Sequence, residues 1–238
     1  MPMGRPVYPR GGALQGATSD APRGPRGLAR LAIAEPSPAA GVLAAAVVLF
    51  VVIFGVLVWQ RHDRFGSFGF DMGIYDQAVW MAARGKSFLT TRGLDLFGHH
   101  ANVSFYLLAP FSWLGAGPHF LNLLQVGALA LTAVPLYLLG RHRGLAPWIA
   151  LAPAVAFLLH PSTGLLAWEL FHPETVAVVF LAFAYLAAAK ERWHWYAVLL
   201  VVAVGWKEDV ALFAFFLGVL LAVRGHPCLL YTSPSPRD

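Results

Sequence analysis

The sequence predicts an all-α, multispanning helical membrane protein. Of 238 residues, 58% are hydrophobic and only 12% are charged, and mean hydropathy is +0.62, well above the balance of a soluble domain. Apolar runs recur from Ala39 to Val223, and between them no stretch is rich enough to form a separate core. Three segments follow: a leader over 1–38, one membrane domain over 39–226 and a tail over 227–238.

Five of the arginines, Arg5, Arg10, Arg23, Arg26 and Arg30, sit in the Gly/Pro-rich leader, which reads as disordered. Arginine-glycine arms also bind RNA, but directly ahead of a transmembrane helix they read as a positive-inside anchor, so no nucleic-acid partner is expected and the N-terminus is placed in the cytoplasm. The run from Ala39 to Trp59 is 21 residues long. That exceeds a signal-peptide core, and QRHDR follows it in place of a small-residue cleavage site, so it is a retained span. The only cysteine, Cys228, lies in the tail, which leaves no disulfide framework and no cysteine metal site.

The next segment, QRHDRFGSFGFDMGIYDQAVWMAARGKSFLTTRGLDLFGHHANVS, is a polar outer loop. Within it Ile74, Ala78 and Met81 share one helical face, while Asp76, Trp80 and Arg84 lie along another, which predicts an amphipathic helix on the membrane. Asp71 precedes that helix as an N-cap and Gly85 stops it. Val103 to Gly115 is too short to cross a hydrocarbon core of roughly 30 Å and reads as interfacial or re-entrant. The remaining spans are His119 to Leu139, Leu145 to His160, Pro173 to Ala189, Trp193 to Trp206 and Val210 to Val223, which makes six crossings in all.

Charge distribution favours that count. With Val103 to Gly115 kept out of the tally, Arg141, Arg143, Lys190, Arg192 and Arg224 join the leader arginines inside, and only Arg61, Arg64, Arg84, Lys86, Arg92 and Lys207 remain outside. The arms Arg192 to Lys207 and Asp209 to Arg224 are short, roughly 22 Å each, so the turn between them is expected to lie in a recessed, wet outer cavity. His160 and Glu174 end similar arms and are expected in the same depression.

Several polar constellations fall on that outer side. Asp71 suits a cap, and equally a general base or a carboxylate holding a divalent cation. His99 and His100 are adjacent and cannot share a helix face; they read as hydrogen-bonded loop histidines, with a metal or phosphate as the alternative. In ELFHPETV, Pro173 and Glu174 fit a helix start, which explains His172 less well. In GWKEDVALF, Lys207 closes one helix and Asp209 caps the next, leaving Glu208 without a role. Trp193, Trp195 and Trp206 are belt residues at helix ends. No Walker loop, dinucleotide fingerprint, Gly-x-Ser-x-Gly elbow or zinc-binding helix is present, which removes most soluble-enzyme classes.

Taken in order, FDMGIYDQAVW, FGHHANVSFYLLAPFSWL, LQVGALALTAVPLYLLGR, ELFHPETVAV and KEDVAL resemble a family of bacterial predicted membrane proteins, domain of unknown function 2079, over about residues 39–224. That family is similar to the GT-C class of multispanning glycosyltransferases, which take sugars from polyprenyl-phosphate carriers at the outer membrane face. The resemblance implies an acidic catalytic residue in the first outer loop, by position Asp71 and Asp76. It also implies further spans beyond Arg224. CLLYTSPSPRD, where the composition shifts abruptly from apolar helix to Ser/Pro, reads as a non-native addition.

The functional expectation is a GT-C-like transferase in the bacterial inner membrane. Arg84, Lys86, Arg92 or Lys207 would neutralise the donor phosphate, and His100, His172, Glu174, Glu208 and Asp209 would line the substrate site. Asp71, His99 and His100 are the candidates for a divalent cation. The rivals are a transporter or flippase using the Lys207, Glu208, Asp209 triplet, and a non-catalytic membrane subunit.

Overall fold

In the computed structural model, residues 37–67 and 69–223 are described; the leader and the tail therefore fall almost wholly outside the described residues. The first helix, α1 (Pro38–Asp63), begins where Ser37 accepts the Ala40 N–H on its hydroxyl and Pro38 occupies the first turn. It runs a full turn past Trp59. The polar loop after it folds as α2 (Gly69–Ala82), a short hairpin of β1 (Phe88–Leu89) and β2 (Leu94–Asp95), and α3 (Leu96–His99). A 3₁₀ turn, η1 (Val103–Leu108), and α4 (Ala109–Trp113) follow. The long helices are α5 (Pro118–His142), α6 (Pro147–Leu159), α7 (Pro161–Trp168), α8 (Pro173–Ala189), α9 (Trp193–Val204) and α10 (Val210–Val223).

The chain is thus an all-α membrane protein. Among the described residues α1 and α5 alone are, by length and composition, sufficient to cross a bilayer, and α6 with α7 forms a third apolar unit bent by 48°. The bend falls at His160, whose extended backbone is what a residue before proline adopts. The segment Val103–Trp113 is short and irregular, as its length and Pro110 require, and Gly115 at φ +87° ends it. α9, with 12 residues, is only about 18 Å long.

Contacts fix the direction of the helices. Ser37 reaches the Tyr137 hydroxyl (3.1 Å) and His142 Nε2 donates to the Ala189 carbonyl (2.8 Å), which gathers the start of α1 and the ends of α5 and α8 at one end. At the other end Asp63, at the close of α1, meets His119, at the start of α5 (3.1 Å). One buried cluster joins α1, α5, α6 and α7. There α5 and α6 approach so closely at Gly140 that an added Cβ would stand 2.9 Å from that of Ala150.

A second cluster packs this polar loop onto α5, α8 and the end of α9, with Phe105 and Phe171 at its centre. The apolar face expected of α2 therefore meets protein. Ile74 and Ala78 are buried with Met72, Tyr75 and Val79, and Met81 lies at the edge. One expectation is corrected here. α2 begins at Gly69, so Asp71 is inside its first turn and exposed, where it complements the helix dipole instead of capping. Gly85, at φ +63°, does end the helix: its N–H bonds to Ala82 and that of Lys86 to Met81, a Schellman closure.

Candidate functional site

Two sequence-distant loops are zipped together at one end of the bundle. Ser104 N–H donates to the Gly205 carbonyl (2.7 Å), its hydroxyl donates to Val202 (2.9 Å), and the buried Asn102 side-chain amide donates to Trp206. Glu208 completes the seam, accepting the Ala101 N–H (3.0 Å) and meeting His100 Nδ1 (2.7 Å). Partial burial alone would raise the Glu208 carboxyl; hydrogen bonding to its own backbone N–H, then to His100 and Ala101, overcomes it and holds the pKa down to about 2. The residue that helix capping left unexplained is thus a strap for HHANVS.

A third loop, ELFHP, is set against the same end by Gln125. This buried side chain gives its amide to the carbonyls of Leu166, Glu169 and Leu170 and accepts the His172 N–H (2.7 Å). His172 Nδ1 donates to Leu170 (2.7 Å), so a neutral ring keeps Nε2 as its acceptor. Pro173 then opens α8, and Glu174 projects from its first turn to Lys207 (2.9 Å). Lys207 also pairs with Asp209 (3.2 Å). Burial works against the ammonium, but the two carboxylates outweigh it and raise its pKa.

Tyr75 lies where these groups converge. Its ring stands 6.3 Å from His99 and 6.1 Å from His172. Burial first, and then the Glu174 carboxylate, push its hydroxyl up to about 12, with Asp71, Lys207 and Asp209 also within electrostatic reach. His99 is held below its usual range by burial and by the neighbouring His100 and Arg92. Asp71, Tyr75, Arg92, His99, His100, His172, Glu174, Lys207, Glu208 and Asp209 therefore belong to one polar neighbourhood. Beneath its carboxylates runs a largely apolar cleft of about 250 Å³ between α7, α8 and α10, headed by Glu174 and Asp209 and continued by Val178, Leu181 and Phe213.

Other expected residues lie elsewhere. Asp76 is five positions from Asp71, or about 140° around α2, and its carboxylate points toward Gly117 at the start of α5. Burial raises its pKa, with His62 opposing. Arg84 and Lys86 both lie over the Trp80 ring, at 4.2 and 5.4 Å. His160 lines a separate groove with α1 and α6, because the α6–α7 bend turns it from Glu174. Among the described residues no three of His, Cys, Asp and Glu gather into a metal-binding group. Sequence reasoning missed Tyr75 and Gln125. Tyr75 is one helical turn from Asp71, and Gln125, with Asn122, is one of two amides in an apolar span; both patterns were readable.

Fold and site define a helical membrane protein with a titratable cluster at one end of its bundle. The chain belongs to the predicted membrane protein family of domain of unknown function 2079, which it matches over residues 61–234. Comparison with curated proteins and with solved structures gave no match.

Proposed function

We propose that the protein is a multi-pass, GT-C-like glycosyltransferase of the bacterial inner membrane, with its N-terminus in the cytoplasm, acting at the extracytoplasmic face on a polyprenyl-phosphate-linked sugar. The observation that carries this reading is the apolar cleft headed by Glu174 and Asp209, with Lys207 between them. A long isoprenoid tail suits such a cleft, and its phosphate suits an ammonium that is held by carboxylates able to exchange partners.

Asp71 takes the proton from the acceptor hydroxyl, and that oxygen attacks the anomeric carbon. The bond from that carbon to the phosphate oxygen breaks, and its electron pair leaves with the lipid phosphate beside Lys207 and Arg92. Tyr75, kept protonated by its raised pKa, donates a hydrogen bond to the sugar or the phosphate. His100, His172 and Glu208 shape the acceptor side. A divalent cation does not fit this residue set, and no step is routed through one.

The test is a comparison of two aspartates in the full-length protein. Asp71→Asn abolishes transfer to an envelope glycan while insertion stays normal, and Asp76→Asn, on the other side of α2, retains most of it. An unchanged glycan profile with altered ion or solute flux in Asp71→Asn would replace the transferase with a transporter.

A further inference from the structure

Trp80 lies nine positions from Asp71, about 180° around α2, so the face it marks looks away from the polar cluster. Arg84 stacks over Trp80 and donates to its carbonyl (3.2 Å) and to Ser112 (3.3 Å), tying α2 to α4. Lys86 covers the same ring. Trp113 donates its indole N–H to Ala83 (2.7 Å) but leaves 65% of its surface open. Leu114, at the tip of the turn closed by Gly115, is 87% exposed, and Phe111 is exposed beside it.

Among the described residues neither Arg84 nor Lys86 forms an ion pair. Two uncompensated cations at the end of α2 thus flank two indoles and a protruding leucine, the second indole and the leucine closing a segment too short to cross the bilayer. Aromatic rings favour the headgroup layer, the aliphatic tip favours acyl chains, and cations favour a phosphodiester that bears net negative charge. We infer that this face is a docking surface for anionic phospholipid, with Trp113 and Leu114 inserted and Arg84 and Lys86 on the lipid phosphate. Its role is separate from donor-phosphate chemistry at Lys207 and holds whether or not the protein is a transferase.

The experiment places a fluorophore at Leu114→Cys in the full chain, with Cys228→Ser, in proteoliposomes containing brominated phosphatidylglycerol or brominated phosphatidylcholine. Phosphatidylglycerol should quench several-fold more efficiently at equal mole fraction, within the roughly 30-fold local enrichment that two cations near a charged surface can give. The preference should vanish in Arg84→Gln/Lys86→Gln and persist in Arg84→Lys/Lys86→Arg. Equal quenching by both lipids in the protein with native Arg84 and Lys86, or a preference that survives the double Gln substitution, overturns the inference. Quenching by neither lipid also overturns it, in favour of a protein partner on this face.

Discussion

Glu208 and His100 are 108 positions apart in sequence and 2.7 Å apart in space. With the Ala101 N–H on its second oxygen, Glu208 is the polar closure of a seam otherwise made from backbone and small side chains. A carboxylate depressed from 4.5 to about 2 contributes stability that is present above about pH 4.5 and lost as pH falls toward 2. Amide exchange at Ala101 and Ser104 should therefore accelerate across that window, ahead of helix amides. Glu208→Ala should give the same acceleration at neutral pH; protection unaltered by either change would deny Glu208 this role.

Lys207 answers to the opposite end of the pH scale. Its pKa is raised above 10.5, so its contribution is complete below that value and disappears as pH climbs past it. Lys207→Met leaves Glu174 and Asp209 facing one another without a cation. The expected cost is about 2 kcal/mol, less than for a fully buried pair because both carboxylates are partly in solvent. Glu174→Gln should cost less, since Lys207 keeps Asp209. Thermal unfolding in detergent at pH 7 orders the variants, and a Lys207→Met protein as stable as its parent would refute the pairing.

Helix limits were legible because apolar runs bounded by Pro, Gly and Arg leave few alternatives: Pro173–Ala189 and Val210–Val223 begin and end where the sequence placed them, although at 17 and 14 residues both are shorter than α1 and α5. The pairing of HHANVS with GWKED was not legible, since all but the His100–Glu208 contact use a backbone group on at least one side, and such groups carry no residue identity. The β1–β2 hairpin was hidden for a related reason. It has two residues per strand, and it is held to α2 by Gln77 bonds to Thr90 and Thr91, contacts without a periodic signature. Charge spacing put Asp71 and Asp76 in one loop but not on different faces of it, because the two look equivalent until α2 is given a rotation.

The seam also sets a steric condition at Gly205. Its φ of −66° suits any residue, so backbone freedom is not the reason for glycine there. Space is the reason: an added Cβ would stand 2.5 Å from Ser104 Oγ and 3.3 Å from Ser104 N. Because Ser104 is bonded to Gly205 and Val202 at once, it cannot yield without giving up one of those bonds. Gly205→Ala should therefore lift η1 from α9 and cost about 1–3 kcal/mol, the range for overpacking a tight contact. Ser104→Ala alone should cost about 1 kcal/mol, one net hydrogen bond. The double variant separates sterics from propensity: with the hydroxyl gone the shortest clash is relieved, so Ser104→Ala/Gly205→Ala should be more stable than the sum of the two single losses predicts. Strict additivity of the unfolding free energies would mean that Gly205 is required for something other than the approach of Ser104.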